Sequence, residues 1–120
     1  MTAVKPGDVV LVSFPFTDLS QNKVRPAVVI STEEVHKKED DYTLLFISSV
    51  VSLPLEPYEV LLNKGHPDFR QSGLKKDSVL KGNKIATLRK SLLKRQIGSL
   101  GPGIQSTLRQ ALRKALFLDD

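Results

Sequence analysis

Turn-forming residues divide the first two thirds of this chain so finely that no apolar run anywhere exceeds four residues, as at 9–12, 27–30 and 44–47. Runs of that length suit strands and fall far short of the ~20 residues that a membrane-spanning helix requires. Strands are therefore expected at residues 8–14, 26–31, 42–49 and 58–62, rich in apolar and β-branched residues and separated by Pro, Gly, Asn, Asp and Ser. Apolar side chains fall at both parities within them, which predicts strands buried on both faces. Two shorter strands, 78–80 and 85–88, are expected on either side of Lys81-Gly82-Asn83-Lys84, whose composition reads as a turn. Short strands at such close spacing favour a small barrel or sandwich over alternating strands and helices.

Only the end of the chain has a clear helical period. After Gly101-Pro102-Gly103, the residues Ile104, Leu108, Ala111, Leu112, Ala115 and Leu116 recur at three- and four-residue steps and make one apolar stripe. Before it, a helical turn at 90–93 and a last strand at 96–100 are expected. At 120 residues the chain is sized for one domain spanning 1–120. It has no cysteine and two histidines, which removes disulfide, thiolate and Cys-based zinc chemistry, so neither a metal nor another cofactor is expected. The stretch MTAVKPGDVV lacks the apolar centre of a secretory leader, and a cytoplasmic location is expected.

Charge is unevenly spread. Residues 1–77 carry nine Lys and Arg against eleven Asp and Glu, whereas residues 78–118 carry nine basic residues and no acidic one. A basic third points to an anionic partner, nucleic acid or an acidic protein segment, where the side chains converge; dispersed, it is a solvated face.

The stretch from Lys5-Pro6-Gly7-Asp8 through VVLVSFPFTDLSQNKVRPAVVIS is a strand, a polar loop and an Arg-Pro entry into a second strand. It resembles the opening of the MazF/PemK toxins, ribosome-independent mRNA interferases of type II toxin–antitoxin pairs. Ile47-Ser48, Asp77-Ser78-Val79, Lys84-Ile85-Ala86-Thr87-Leu88 and Ile97-Gly98-Ser99-Leu100 follow in that family's order, so the resemblance covers essentially the whole chain. It implies a mainly β fold, a small SH3-like barrel with short helices and a C-terminal helix. It also implies a homodimer that cuts single-stranded RNA without metal, leaves 2′,3′-cyclic phosphate and 5′-OH ends, and is neutralised by a cognate antitoxin. DNA would be met only indirectly, through an antitoxin complex. Two rival readings go with it: a relative that binds RNA with weak or no catalysis, and a protein-binding poison of the CcdB type. The second has a similar barrel, but the tryptophan near the C-terminus that would favour it is absent.

Attack of a ribose 2′-OH on the adjacent phosphorus needs a proton acceptor, a proton donor and positive charge on the pentacovalent phosphate. Arg25 suits the last two. Pro26 biases it to extended backbone, and its planar fork holds two phosphate oxygens at any physiological pH. The resemblance places a catalytic arginine at this position. It also chooses Ser48 as the catalytic hydroxyl, where strand parity alone cannot decide between Ser48 and Ser49, which point to opposite faces. For the substrate, Phe16 is suited to stack on a base, with Phe14 expected in the barrel. Thr17, Gln21, Asn22 and Lys23 offer polar loop groups, and Ser49, Lys81, Asn83 and Lys84 complete the expected surface. Asn83 stands where the PemK-like branch carries an Asp base; an amide cannot accept the proton, so that route is closed and the Arg25/Ser48 route remains. Ala86 likewise replaces an arginine frequent in the family. His36 and His66 lie in polar stretches and read as surface-loop residues. Lys81, Lys84, Arg89 and Lys94 would suit an acidic antitoxin segment as well as RNA.

Overall fold

The computed structural model describes residues 4–13 and 24–118. Six strands, β1 (Asp8–Ser13), β2 (Val24–Val29), β3 (Asp41–Ser48), β4 (Glu59–Leu62), β5 (Ser78–Arg89) and β6 (Leu93–Ser99), form one antiparallel sheet. Its order is β4-β5-β3-β2-β1-β6. The helices are α1 (Glu33–Lys38), α2 (Phe69–Ser72) and α3 (Pro102–Ala115), with a 3-10 turn at Lys90–Leu92. The mainly β expectation with a C-terminal helix holds, with one correction: β4 and β6 are unpaired edges among the described residues, so the sheet is not hydrogen-bonded into a closed barrel.

Apolar residues at both parities have the anticipated consequence. Val9, Val28, Leu45 and Leu80 point to one face and pack with Ile104, Leu108 and Ala111 of α3. Val10, Val12, Ala27, Val29, Leu44 and Leu88 fill a second cluster on the other face with Tyr42 and Leu93. The central strands are thus buried on both sides, and truncating one of their leucines should cost about 2–5 kcal/mol. The α3 stripe is shorter than expected: the helix stops at Ala115 and Leu116 is exposed. Its start is capped from outside. Gly101 has no side chain to offer, and Asp68 Oδ2 instead accepts the Ile104 N–H at 2.9 Å. Helices α1 and α2, of six and four residues, were not expected; neither carries enough apolar residues to show a period.

The region around Lys81 corrects the turn reading. β5 is one continuous strand of twelve residues, and Lys81-Gly82-Asn83-Lys84 is a bulge within it. Leu45 pairs with Ile85 and Ile47 with Leu80, so a short step along β3 is matched by a much longer one along β5. Gly82 donates its N–H to the Tyr58 carbonyl at 3.0 Å. A Cβ there would sit 2.4 Å from that oxygen, so glycine serves a close backbone approach and not a chain reversal.

Candidate active site

Burial along β2 changes abruptly: Val24 and Arg25 are exposed, Pro26 is half-buried, and residues 27–29 are fully buried. β1 stays paired to β2 as far as Ser13 and Val24, with Val12 opposite Arg25. The ladder from β2 to β3, by contrast, begins only at Ala27 and Phe46. Pro26 has no N–H to extend it. Where the two strands part, a cavity of about 310 Å³ opens, lined by Val24, Arg25, Pro26, Ile47, Ser49 and Ser78. Arg25 is therefore anchored through its backbone by β1, while its guanidinium is exposed and has no ion-pair partner among the described residues.

Both candidate serines lie at this end of β3. Ser49 lines the cavity with Arg25. Ser48 belongs to the opposite face, the one that carries Leu44 and Phe46, and its Oγ accepts the Val50 N–H at 3.1 Å. Arg25 and Ser48 have the parity of the last β2–β3 pair, Ala27 and Phe46, but both lie beyond it, where the ladder has ended, and Ser48 does not line the Arg25 cavity. Its hydroxyl keeps a hydrogen to donate, since the bond to Val50 uses only a lone pair.

The other expected residues are dispersed. Lys81 sits opposite Glu59 in the β4–β5 ladder and is ion-paired to it. The Glu59 carboxyl is held below its ordinary value, first by the Glu56 N–H that it accepts at 3.0 Å and then by Lys81, with burial opposing. Asn83 and Lys84 are exposed on the bulge and do not line the Arg25 cavity. Phe14, Phe16, Thr17, Gln21, Asn22 and Lys23 lie outside the described residues.

His36 is not in a loop but on α1, half-buried, with Nε2 2.5 Å from Ser31 Oγ and its ring 4.0 Å from that of Tyr42. His66 accepts the Asp68 N–H at Nδ1, 2.9 Å away. Neither histidine lines the cavity. Among the described residues no three His, Asp or Glu side chains gather as a metal site would need, and no helix is long and apolar enough to cross a membrane.

The basic third does not converge. Arg109, Arg113 and Lys114 ride on α3 away from its buried residues, and Arg89 and Lys90 stand at the far end of β5. Arg95 of β6 instead lines a second cavity, of about 510 Å³, with Leu11, Pro26, Gly73, Leu74, Lys75, Gln96 and Ile97. Ser78, Lys75 and Arg95 were not among the expected site residues. Ser78 had a signal, its place in Asp77-Ser78-Val79; Lys75 had none, because only the packing of distant segments brings it there.

Comparison with known proteins sets these features in context. The profile of the PemK-like, MazF-like toxins of type II toxin–antitoxin systems matches residues 5–116. Among solved structures, the chain is similar to an endoribonuclease in complex with its cognate antitoxin from a mycobacterial species. That pair has 19% identity and a TM-score of 0.76, covering 98% of this chain and 99% of the other. It is similar to the Mycobacterium tuberculosis toxin MazF-mt6 at 23% identity and a TM-score of 0.74, with 94% and 99% covered. It is also similar to MazF from Deinococcus radiodurans, at 19% identity and a TM-score of 0.71, with 95% and 96% covered. No curated sequence matches it significantly. At these identities the structural likeness speaks for the fold.

Proposed function

The chain belongs to the PemK-like, MazF-like toxin family of type II toxin–antitoxin systems, and from that premise we propose that it is an endoribonuclease that cuts single-stranded RNA without a metal ion, through Arg25 and Ser48. The observation that carries this reading is the state of Arg25: exposed, free of any ion pair among the described residues, and fixed by β1 where β2 and β3 part over a cavity. An arginine so placed is held for a ligand with negative charge, and a similar fold is that of an endoribonuclease.

In this reading the 2′-oxygen bonds to phosphorus, the bond from phosphorus to the 5′-oxygen breaks, and a 2′,3′-cyclic phosphate and a 5′-OH result. Arg25 grips two non-bridging oxygens with its fork and offsets the charge that builds on the pentacovalent phosphate. One guanidinium N–H is directed to the departing 5′-oxygen, and the proton it gives is regained from solvent. The Ser48 hydroxyl donates a further bond to the phosphate. In this reading hydroxide from solvent takes the proton of the 2′-OH and becomes water. Ser49 and Ser78 face the same cavity and suit the ribose or base.

Partners follow from the same membership. A homodimer and a cognate antitoxin both need apolar surface, and Val50, Leu53, Phe117 and Leu118 are each largely exposed. One structural neighbour is held in complex with its antitoxin. Contact with DNA would come through such a complex, and action on mRNA places the protein in the cytoplasm. The deciding experiment incubates purified protein with a mixed RNA in EDTA and maps the ends. Cleavage with 5′-OH ends, and none of the all-deoxy equivalent, is expected. Binding without cleavage would favour the weakly active reading that Asn83 suggests, and cleavage only with an added divalent metal would overturn the mechanism.

A further inference from the structure

Helix α1 has little to hold it together by itself. Its six residues are far fewer than an isolated helix needs in water, and its Thr32 cap makes no side-chain hydrogen bond. All of them are exposed except His36, which is half-buried. Backbone bonds pin the chain on either side, from the Ile30 N–H to the Thr43 carbonyl at 3.0 Å and from the Lys90 N–H to the Asp40 carbonyl at 2.7 Å. Between those pins, His36 is the one α1 side chain with a hydrogen bond or ring contact to the rest of the chain, among the described residues. Its Nε2 meets Ser31 Oγ, and its ring rests on the buried Tyr42. This attachment lies where β2 crosses to β3, at the end of both strands opposite Arg25.

The hydrogens at this contact can be counted. Ser31 Oγ accepts the Thr43 N–H at 3.0 Å, which leaves it one lone pair and one hydrogen for His36. Nδ1 of the ring is buried and has no hydrogen-bond partner among the described residues. With a neutral ring a single hydrogen lacks an acceptor: that on Nδ1 if Ser31 donates to Nε2, or that on Ser31 if Nε2 donates. A charged ring carries hydrogens on both nitrogens, so both shortfalls occur together and a full charge is added in a packed site. The charged neighbours on α1 and just past it are Glu33, Glu34, Lys37, Lys38, Glu39 and Asp40, all exposed and none bonded to the ring. β3 adds Asp41 and the titratable Tyr42, neither of which reaches Nδ1 with a hydrogen bond. We propose that α1 is a pH-sensitive latch: the neutral His36 ring clips it to Ser31 and Tyr42, and proton uptake releases residues 32–40 while the sheet stays folded. The open segment takes up a proton that the closed one disfavours. The opening constant should therefore rise by up to about tenfold for each unit that pH falls below the range in which a free imidazole titrates.

The test follows the full chain by NMR from about pH 8 to 5. In the parent, the Cα shifts of residues 33–38 should move from helical to coil values in step with the His36 ring signal, while those of β3 and β5 stay in place. The ring of His66, the chain's other histidine, is the internal control, and α1 should not follow it. Ser31→Ala removes one of the two contacts and should raise the opening constant about fivefold at pH 8. His36→Phe keeps a ring for Tyr42 and takes up no proton, so its α1 shifts should be independent of pH. A His36 ring that titrates while α1 stays helical would overturn the proposal. So would α1 shifts that are constant across the range, or an equal pH response in His36→Phe. Where His36→Phe forms no α1 at any pH, the parent alone decides, through the coincidence of its ring and helix signals.

Discussion

Arg25→Ala is the substitution whose outcome is most sharply set by the structure. The side chain is exposed, makes no ion pair among the described residues and lies beyond the buried part of β2, so its removal opens no core cavity. Stability should stay within about 0.5 kcal/mol of the parent, a change in Tm of a few degrees at most. Chemistry should suffer far more. Loss of one preorganised donor to a developing oxyanion costs about 2.7–4 kcal/mol, or 10²–10³ in kcat. Arg25 is assigned two such bonds and a full charge, so a loss of about 10³ or more is expected. Arg25→Lys keeps the charge without the fork and should fall between the two. Ser48→Ala removes a neutral donor worth about 1 kcal/mol and should slow cleavage five- to tenfold. Ser49→Ala, altering a cavity-lining residue, should change KM more than kcat. Single-turnover cleavage in EDTA with a circular-dichroism melt measures all four. An Arg25→Ala protein that cleaves within threefold of the parental rate would refute the assignment, and a Ser49→Ala rate below that of Ser48→Ala would exchange the serines' roles.

Other consequences can be measured as directly. With solvent hydroxide as the proton acceptor, log kcat/KM should climb with pH across the neutral range at a slope near one; an inflection near 6.5 would reveal a histidine base. Asp68→Ala removes the carboxylate that caps α3 from outside and should cost about 1–2 kcal/mol in urea unfolding, and an unchanged midpoint would show that the cap contributes nothing. Gly82→Ala drives a Cβ toward the Tyr58 carbonyl and should lower Tm by far more than Gly65→Ala, whose Cβ meets only a side-chain oxygen at 3.5 Å. The Glu59 carboxyl titrates below its ordinary 4.5 when folded. Its contribution is therefore full above 4.5 and lost as pH falls through the folded value. The stability gap between parent and Lys81→Gln should narrow over that acid range, and a gap that widened there would contradict the pairing.

The strands of this chain were legible because their cause is local. Alternating buried faces demand β-branched and apolar residues at both parities, and Pro, Gly and Asn interrupt them, so β1 to β4 fall close to their expected bounds. The α3 stripe was legible for the same reason, up to the point where Leu116 passes out of the helix. Arg25 was visible through Pro26, whose effect on the preceding residue is a property of the dipeptide. Composition at Lys81-Gly82-Asn83-Lys84 misled, because glycine there answers to the Tyr58 carbonyl, a neighbour more than twenty residues away in the chain. His36 misled likewise: a polar sequence neighbourhood does not reveal that the ring lies against Tyr42.

Local chemistry thus determined which segments would be strands, where the last helix begins and which arginine is presented at a strand end. Tertiary structure alone decided which charges are engaged and which are free. Lys81 is tied to Glu59 because β4 and β5 set them opposite each other, and Lys75 lines one cleft with Arg95 because Gly73 lets its segment settle against β6. Whether a cation is neutralised depends on the few ångströms around its head group. Those distances are set by pairing register and by close backbone approach between segments far apart in the chain, which no local pattern of residues encodes.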